Sequence, residues 1–403
     1  MARFKYEGRD AKAIRTGVIV AVDKREAAIK LKSQGIRVTN LTVQAETAMT
    51  KEIVIGKPVK REHLIMFLRQ FSTLLRAGVT IIDAIRILAL QVESKPFQKI
   101  LITVNDDLRG GGSLSGAFTK HPKAFEPIVV NMIRAGEMSG TIDDSLDRLA
   151  DHFEKSHQLK QKVVSAMSYP LVVAVLAIGV VIFLLTTIVP MFVEMFASFG
   201  GELPWITRFV MNASTFVTSY WYLLVLFAVI VVGGIWMMKR NKEGKLLLDT
   251  FLLRLPIFGD IMKKSVLATM TRTLSSLFAS SVPILQAMSM TEKIVENEVI
   301  SRVIAKSRES LERGGSLTEP MNGHWAFPPL IPHMIAIGEQ TGSLDAMLAK
   351  VADFYEKEVE AATDRLKALI EPLMIVLLAG LVGTIVLAIM MPMFEMFNNI
   401  DGM

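Results

Sequence analysis

Residues 135–143 read AGEMSGTID, and residues 337–345, about 200 positions further on, read IGEQTGSLD. Upstream, GGSL at 111–114 pairs with GGSL at 314–317, one residue out of that register. Each copy is a polar, helix-patterned half followed by one apolar segment, so a duplicated unit of about 130 residues organises the chain. Downstream of the motif, the matched pairs are Leu146 and Leu348, Asp151 and Asp353, Glu154 and Glu356, Pro170 and Pro372, and Pro190 and Pro392.

Three apolar segments are long enough to cross a bilayer, which takes about 20 apolar residues. They lie at 169–193, 220–238 and 371–394, in a chain of 403 residues that is 51% hydrophobic. The N-terminal region is polar and of mixed charge, so we expect the spans to be retained anchors rather than a cleaved signal. Prolines near the ends of the first and third spans predict helix kinks there.

The lysines and arginines predict the orientation. They are frequent before the first span, and the segment after the second span opens with KRNK at 239–242. By the positive-inside rule, we expect residues 1–162 and 239–370 in the cytoplasm, with 193–219 and the C-terminus outside. The middle span has no counterpart in the repeats, and it returns the chain to the cytoplasm so that the two repeats run parallel.

The expected fold is mainly α: a polytopic membrane protein of two parallel repeats, each a cytoplasmic bundle of about six helices plus one transmembrane helix. An extra middle transmembrane helix and a small N-terminal α+β module complete it. In the module, strands at 3–6, 17–22 and 36–38 are expected beside a helix at 24–33. The expected boundaries are 1–45 (module), 46–60 (linker), 61–168 (bundle 1), 169–193 (first span), 194–219 (extracytoplasmic loop), 220–238 (second span), 239–370 (bundle 2), 371–394 (third span) and 395–403 (extracytoplasmic tail).

The repeated motif G-E-x-[ST]-G-x-[ILV]-D has the pattern of a turn between two helices. Its second glycine suits a helix C-cap, and the following Thr141 or Ser343 suits an N-cap, with Asp144 able to close a capping box. Capping does not require the glutamates, so a salt bridge or partner contact is an alternative. The candidate motif residues are Gly136, Glu137, Gly140, Gly338, Glu339, Gly342, Tyr169, Pro170, Glu371 and Pro372.

Asp147 and Asp151 lie four residues apart on one helix face. The two carboxylates could share a hard divalent cation, Ca²⁺ or Mg²⁺, with an oxygen of a neighbouring helix such as that of Gln91 or Glu93. A pair of this kind is more often a solvated helix face. The second repeat has Ala349 at the position of Asp147, so only one half could hold such a site.

The sequence carries no sign of catalysis. It has no phosphate-binding G-x-x-x-x-G-K-[ST] and no H-E-x-x-H, and it has no cysteine, which excludes disulfides and thiol chemistry. The formal charge of +6 fits membrane orientation and attraction to anionic lipid. Because no basic stretch is interleaved with aromatic residues, direct binding to nucleic acid is not expected.

The doubled motif, with Tyr169-Pro170 and Glu371-Pro372 at the start of spans one and three, resembles the inner-membrane platform proteins of type IV pili and type II secretion systems, the PilC and GspF group. FKYEG at 4–8 and LKSQG at 31–35 resemble that family's opening module. The resemblance covers nearly the whole chain. It implies a non-enzymatic, multi-pass scaffold of the bacterial inner membrane, with the N-terminus in the cytoplasm and the C-terminus outside.

The resemblance also implies the partners. These are a hexameric assembly ATPase on the cytoplasmic side, the transmembrane helices of pilins or pseudopilins, other inner-membrane assembly subunits, and further copies of the chain as a homodimer or larger oligomer. No cofactor is required, but a divalent cation in the first cytoplasmic domain is implied, on the helix of Asp147 and Asp151.

Two other classes compete with a platform. A subunit of a transporter or channel is the first, but its spans usually carry ionisable residues, and these spans carry almost none. A membrane-bound enzyme is the second, and it lacks a nucleophile–base or metal constellation. The sequence leaves open whether the filament is a retractable pilus, a secretion pseudopilus or a competence pilus.

Overall fold

A computed structural model describes residues 2–9, 14–21, 28, 31–32, 36–43, 59–192 and 204–400. Residues 1–58 and 59–403 are two separate compact units. The first unit contains an antiparallel sheet of order β2-β1-β3, built from Ala2–Arg9 (β1), Ile14–Ala21 (β2) and Arg37–Val43 (β3). The three expected strands are therefore confirmed. Of the helix expected at 24–33, Ala28, Leu31 and Lys32 are helical, and the rest lies outside the described residues, as does most of the linker.

The first helical bundle follows the expected pattern, because its apolar stripe turns inward. Leu64, Phe67, Leu68 and Phe71, spaced at i, i+3, i+4 and i+7, are all buried in one core. After this helix, Gly78 adopts a positive φ of 84°, which turns the backbone out of the helical path. The helices of this bundle are Arg61–Arg76 (α1), Ile81–Gln91 (α2), Lys95–Arg109 (α3), Leu114–Thr119 (α4), Pro127–Ser139 (α5) and the first part of Ile142–Phe183 (α6).

The second bundle repeats this arrangement with two differences. It is preceded by an additional helix, and the segment that corresponds to α4 consists of turns rather than a helix. The helices of this half are Trp205–Arg240 (α7), Lys242–Arg254 (α8), Phe258–Ala279 (α9), Ile284–Ile294 (α10), Glu298–Glu312 (α11), Leu330–Thr341 (α12) and Leu344–Ile400 (α13).

Two helices run from the bundles into the apolar segments without a break. One extends from Ile142 through α6 and a π-helical turn at Leu184–Ile188 to Phe192, and the other is α13. Both are long and apolar enough to cross a membrane. Pro170 and Pro372 lie inside these helices, so neither proline ends a helix. Helix α13 continues to Ile400, into the stretch expected as the tail from residue 395.

The segment expected as a loop before the second span is instead helical from Trp205. Helix α7 has non-helical angles at Tyr220, and its halves 205–223 and 225–240 are bent by 49°, so a third crossing exists if the bent pair is one span. The first half packs on the ends of α6 and α13. Ser214 donates its hydroxyl to the Leu185 carbonyl at 2.5 Å, and Thr207 donates to the Ala388 carbonyl at 2.7 Å. These buried hydroxyls satisfy carbonyls that apolar surroundings would otherwise leave unpaired.

Candidate functional site: the duplicated polar contacts

The two motif glutamates hold the two copies of the GGSL turn. Glu137 accepts hydrogen bonds from the backbone N–H groups of Leu114 (2.5 Å) and Ser115 (3.2 Å) and from the Ser115 hydroxyl. At this place the carboxylate accepts hydrogen bonds from N–H groups that have no partner within α4. Its negative charge is also attracted to the positive end of the α4 dipole. The contact lies within the chain and is not the salt bridge considered from the sequence.

Glu339 makes the corresponding contact in the second repeat. It accepts from the Leu317 N–H at 2.9 Å and the Ser316 hydroxyl at 2.8 Å. The hydroxyl comes from the residue before the leucine here and from the residue after it in the first repeat, where Ser113 is free to cap α4 through the Gly116 N–H. In each repeat, the glutamate of the G-E-x-[ST]-G-x-[ILV]-D motif and the GGSL turn are therefore the two sides of one contact.

The motif glycines have separate roles. Gly140 and Gly342 end their helices with φ of 76° and 69°, which confirms the expected left-handed C-caps. A Cβ on Gly136 would lie 2.5 Å from the Ser145 hydroxyl, and one on Gly338 would lie 2.9 Å from the Leu344 Cα. The first glycine of each motif thus permits the following helix to approach closely.

The expected capping box is wrong. The Thr141 side chain makes no capping bond to α6, and its hydroxyl lies 2.7 Å from that of Ser139. The second repeat has the same pair, with the Thr341 and Ser343 hydroxyls 2.6 Å apart. The Asp144 carboxylate instead accepts a hydrogen bond from Arg76.

We expect Glu137→Gln to lower the free energy of unfolding by about 2 kcal/mol, since hydrogen bonds to a charged group contribute about 1.5–3 kcal/mol. Glu339→Gln should cost about half as much, because fewer bonds are lost. Thermal unfolding of the full chain in detergent would measure both. Met138→Gln, on the exposed side of the same turn, should change stability by less than about 0.5 kcal/mol. Equal, small effects in all three variants would mean that the glutamates are not needed to hold the turn.

A second duplicated contact joins the first helix of each bundle to the long helix. Arg69 of α1 donates Nε and Nη2 to the Glu154 carboxylate at 3.0 and 2.8 Å, and it also binds Asp151. Arg272 of α9 binds Glu356 at 2.8 and 2.9 Å and also contacts Asp353. We call these the arginine clamps. A forked guanidinium on a carboxylate fixes the rotation of one helix against the other.

Hydrogen bonds to Glu154 and Asp151 raise the pKa of Arg69. Burial acts to lower the pKa of Arg272, but its hydrogen bonds to Glu356 and Asp353 outweigh burial and the pKa is raised. Burial acts to raise the pKa of Asp353, but the bonds from Arg272 and Lys155 outweigh it and the pKa is lowered. The stability that this carboxylate contributes is therefore present above its unfolded pKa of about 3.9 and is lost as the pH falls through the lowered value.

The residues proposed for a cation take part in the first clamp. Arg69 Nη1 lies 2.6 Å from Asp147, Arg76 contacts the other Asp147 oxygen at 3.0 Å, and Asp151 binds Arg69. Gln91 is exposed at the end of α2. In the described part of the chain, no three His, Cys, Asp or Glu residues are grouped to hold a metal ion. A cation at this place stays a prediction, and it would have to displace one or both arginines.

The two bundles share one junction. The core of bundle 1 includes Leu277, Val282 and Met290 of bundle 2, and the core of bundle 2 includes Leu159 of α6. Lys155 of α6 extends to Asp353 of the second clamp at 3.1 Å. The junction thus combines apolar packing with an ion pair.

A cavity of about 310 Å³ lies at this junction, lined by residues of both bundles. His152 of α6 lines it, is buried, and leaves Nδ1 without a hydrogen-bond partner. Burial, together with the smaller effects of the nearby Arg61 and Arg272 charges, lowers the pKa of His152 to about 4. The imidazole is therefore neutral in the fold at neutral pH.

Sequence reasoning missed the arginines of the clamps. The acidic residues were visible as matched pairs of the repeat, but Arg69 was not singled out. The sequence did contain a signal for Arg69, because Arg272 occupies the matching position of the second repeat when the GGSL register is extended upstream.

Fold and contacts define a helical membrane protein with a duplicated helical unit. The comparisons agree with this class. The family model described as type II secretion system (T2SS), protein F matches residues 67–190 and 270–392, and the model of that protein's N-terminal domain matches 1–42. The chain belongs to this family.

Its relatives cover the chain almost completely. A type IV pilus assembly protein PilC of Thermus thermophilus is 38% identical over 100% of both chains. PilC of Myxococcus xanthus is 34% identical over 99% of this chain and 96% of its own. A type II secretion system protein F of Vibrio cholerae is 31% identical over 99% of each. The family expected from the motifs is confirmed.

Proposed function

We propose that the protein is a non-enzymatic platform of the bacterial inner membrane for type IV pilus biogenesis or type II secretion. In this role it couples a cytoplasmic assembly ATPase to the extraction and polymerisation of pilin or pseudopilin subunits. The names of its full-length relatives, which are pilus assembly and secretion proteins, support the process.

One structural observation carries the mechanism. The helix that starts at Ile142 runs unbroken to Phe192, and α13 runs from Leu344 to Ile400. Each helix is one rigid body from the cytoplasmic bundle into the apolar region. The arginine clamps fix the first helix of each bundle to the part of the long helix that lies in the bundle. A displacement of the bundles therefore moves the apolar helices with it.

The apolar helices offer a surface for partner helices. Only 17% and 11% of their most apolar windows are buried inside the protein, so most of that surface is open to lipid or to another helix. Without charges, it offers pilin helices mainly apolar packing, which permits sliding. The bundles would face the ATPase and the other inner-membrane subunits, and the basic residues beside the spans would meet anionic lipid.

The proposed orientation places both bundles in the cytoplasm and the C-terminus outside, as the placement of lysine and arginine favours. In this cysteine-free chain, a cysteine at Gly402 should react with an impermeant thiol reagent in intact cells, and one at Lys242 should not. The reverse labelling would contradict the orientation.

Measurements on a strain that lacks the protein distinguish an assembly platform from a channel subunit. We expect filaments or secreted substrate to fall below about one tenth of the normal amount, with ion and solute flux across the inner membrane unchanged. The chain produced from a plasmid should restore assembly. Normal assembly with altered flux would favour the channel.

A further inference from the structure

Helix α8 has no counterpart in the first repeat. When the register of the two clamp arginines is extended, Arg61 at the start of α1 matches Lys264 inside α9. Helix α8, at Lys242–Arg254, comes before that position, so the residues that correspond to it precede bundle 1. The duplication therefore gives this helix no role.

One end of α8 lies at the end of an apolar segment. Only Asn241 separates it from α7, the helix that contains the second expected span. A Cβ on Gly244 would lie 2.7 Å from the Met238 carbonyl oxygen, so the first turn of α8 packs directly against the last turn of α7. Lys242 therefore lies at the level where the chain leaves the apolar region.

The other end of α8 also lies near an apolar segment. Helix α9 follows α8 after a short turn, and its Lys264 binds Glu358 of α13 at 3.0 Å. Further along α9, Ser275 donates its hydroxyl to the carbonyl of Asp345, an earlier residue of α13. The two helices are therefore antiparallel, and the start of α9 is directed toward the apolar part of α13.

Apolar packing places α8 at the same level. Leu253 of α8 shares a core cluster with Leu366 of α13, and Leu246 and Ile370 pack against that cluster. Ile370 directly precedes the third expected span. Since both of its ends lie at this level, α8 runs along the membrane boundary of bundle 2 and not away from it.

The opposite side of α8 is apolar and uncovered. Leu247 and Phe251, four residues apart and thus on one helix face, are 64% and 66% exposed. The turn after the helix adds Ile257 and Phe258, which are also exposed. Single exposed apolar residues are common, but a group of them beside an apolar segment is typical of a surface that contacts lipid or protein.

Positive charge flanks this apolar face. Lys242 and Lys245 take part in no ion pair among the residues that the structure describes. The two acids of α8 are engaged elsewhere, because Glu243 binds Arg302 at 2.7 Å and the buried Asp249 accepts a hydrogen bond from the start of α11. Apolar residues flanked by unneutralised lysines are the composition of a helix that lies in the headgroup region of an anionic bilayer.

We propose that α8 lies in the headgroup region of the bilayer that the apolar helices cross. Leu247, Phe251 and Ile257 insert among the outer parts of the acyl chains, and Lys242 and Lys245 contact lipid phosphates. The occupant is lipid because the uncovered face begins where α7 leaves the apolar region and continues along the membrane boundary. In this position α8 fixes the height of bundle 2 on the membrane separately from α13, a role that does not depend on the platform function.

Quenching of a fluorescent probe by lipid tests this contact, and the lack of native cysteine allows single labels. The full chain with Phe251→Cys is labelled with bimane in nanodiscs of phosphatidylcholine and phosphatidylglycerol that carry a nitroxide either near the headgroup or near the chain end. We expect the headgroup-proximal nitroxide to quench this probe at least threefold more than a probe at Met138→Cys, an exposed control before the start of α6. Val229→Cys, exposed in the middle of the second span, is the control for lipid contact, and the chain-end nitroxide should quench it more strongly.

Quenching at position 251 no greater than at 138 would overturn the proposal. A probe at 251 that is shielded from iodide in water but is not quenched by either lipid nitroxide would also overturn it, since protein would then cover the face.

A charge placed on the face provides a second measurement. Leu247→Glu in the Phe251→Cys chain should lower the quenching by the headgroup-proximal nitroxide at least twofold, whereas Met138→Glu in the same chain should leave it unchanged. Both positions are exposed, so the fold should be retained. Quenching that Leu247→Glu does not change would contradict burial of this face in lipid. The purified chain is measured without an ATPase or pilin, so failure here is separable from failure of the platform function.

Discussion

A flexible Gly-Ser segment inserted after Lys160 or after Lys367 should reduce filaments or secreted substrate more than tenfold, while the protein still accumulates in the membrane and binds its ATPase. The two insertions interrupt α6 and α13 between the bundle and the apolar segment. If these helices transmit displacement, a flexible joint lets the bundles move without the spans. Filament counts or secretion assays, with immunoblots of membranes, would measure the effect.

The matched control is the same segment after Thr50, in the predicted linker, where assembly should be unaffected. A helical insertion of similar length after Lys367 is a second control, because it keeps the joint rigid, and it should retain more activity than the flexible one. If filaments grew normally with both links made flexible, the helices would not transmit motion and the protein would be a passive dock.

Arg272→Met should lower the free energy of unfolding by about 3 kcal/mol, because removing this largely buried guanidinium leaves two carboxylates without compensation. The Arg272 side chain is only 12% exposed and is the main partner of Glu356 and Asp353. Arg69→Met removes the matching residue, whose side chain is 37% exposed, so water screens the remaining acids and we expect a loss of about 1 kcal/mol. Thermal and denaturant unfolding in detergent would measure both.

The repeat supplies the control for this comparison, since both substitutions break the same contact at different depths. Arg76→Met, which removes a more exposed partner of Asp147, should cost less than Arg69→Met. A loss at Arg69 as large as that at Arg272 would show that burial does not decide the strength of the clamp. Loss of assembly in a stable Arg69→Met protein would indicate that the first clamp contacts a partner.

The duplication, the apolar segments and the helix-ending glycines were all predicted from local pattern. Hydrophobic periodicity and turn chemistry act over a few residues, so the sequence contains them directly. The family followed from the doubled motif for the same reason. The helix at 205–219 was not predicted because its hydroxyls and charge resemble a loop, and it is ordered by packing on α6 and α13.

Only the tertiary structure decided which polar groups meet. Glu137 was known as a repeated residue, but its partner lies 23 residues earlier, at the start of the preceding helix α4. Asp147 and Asp151 were a candidate cation pair until α1 placed Arg69 beside them. Such pairings depend on which helix faces pack together, which the local pattern of the sequence does not specify. The sequence specifies the helices and their apolar stripes, whereas the packing of the bundles determines which polar side chains of distant helices meet.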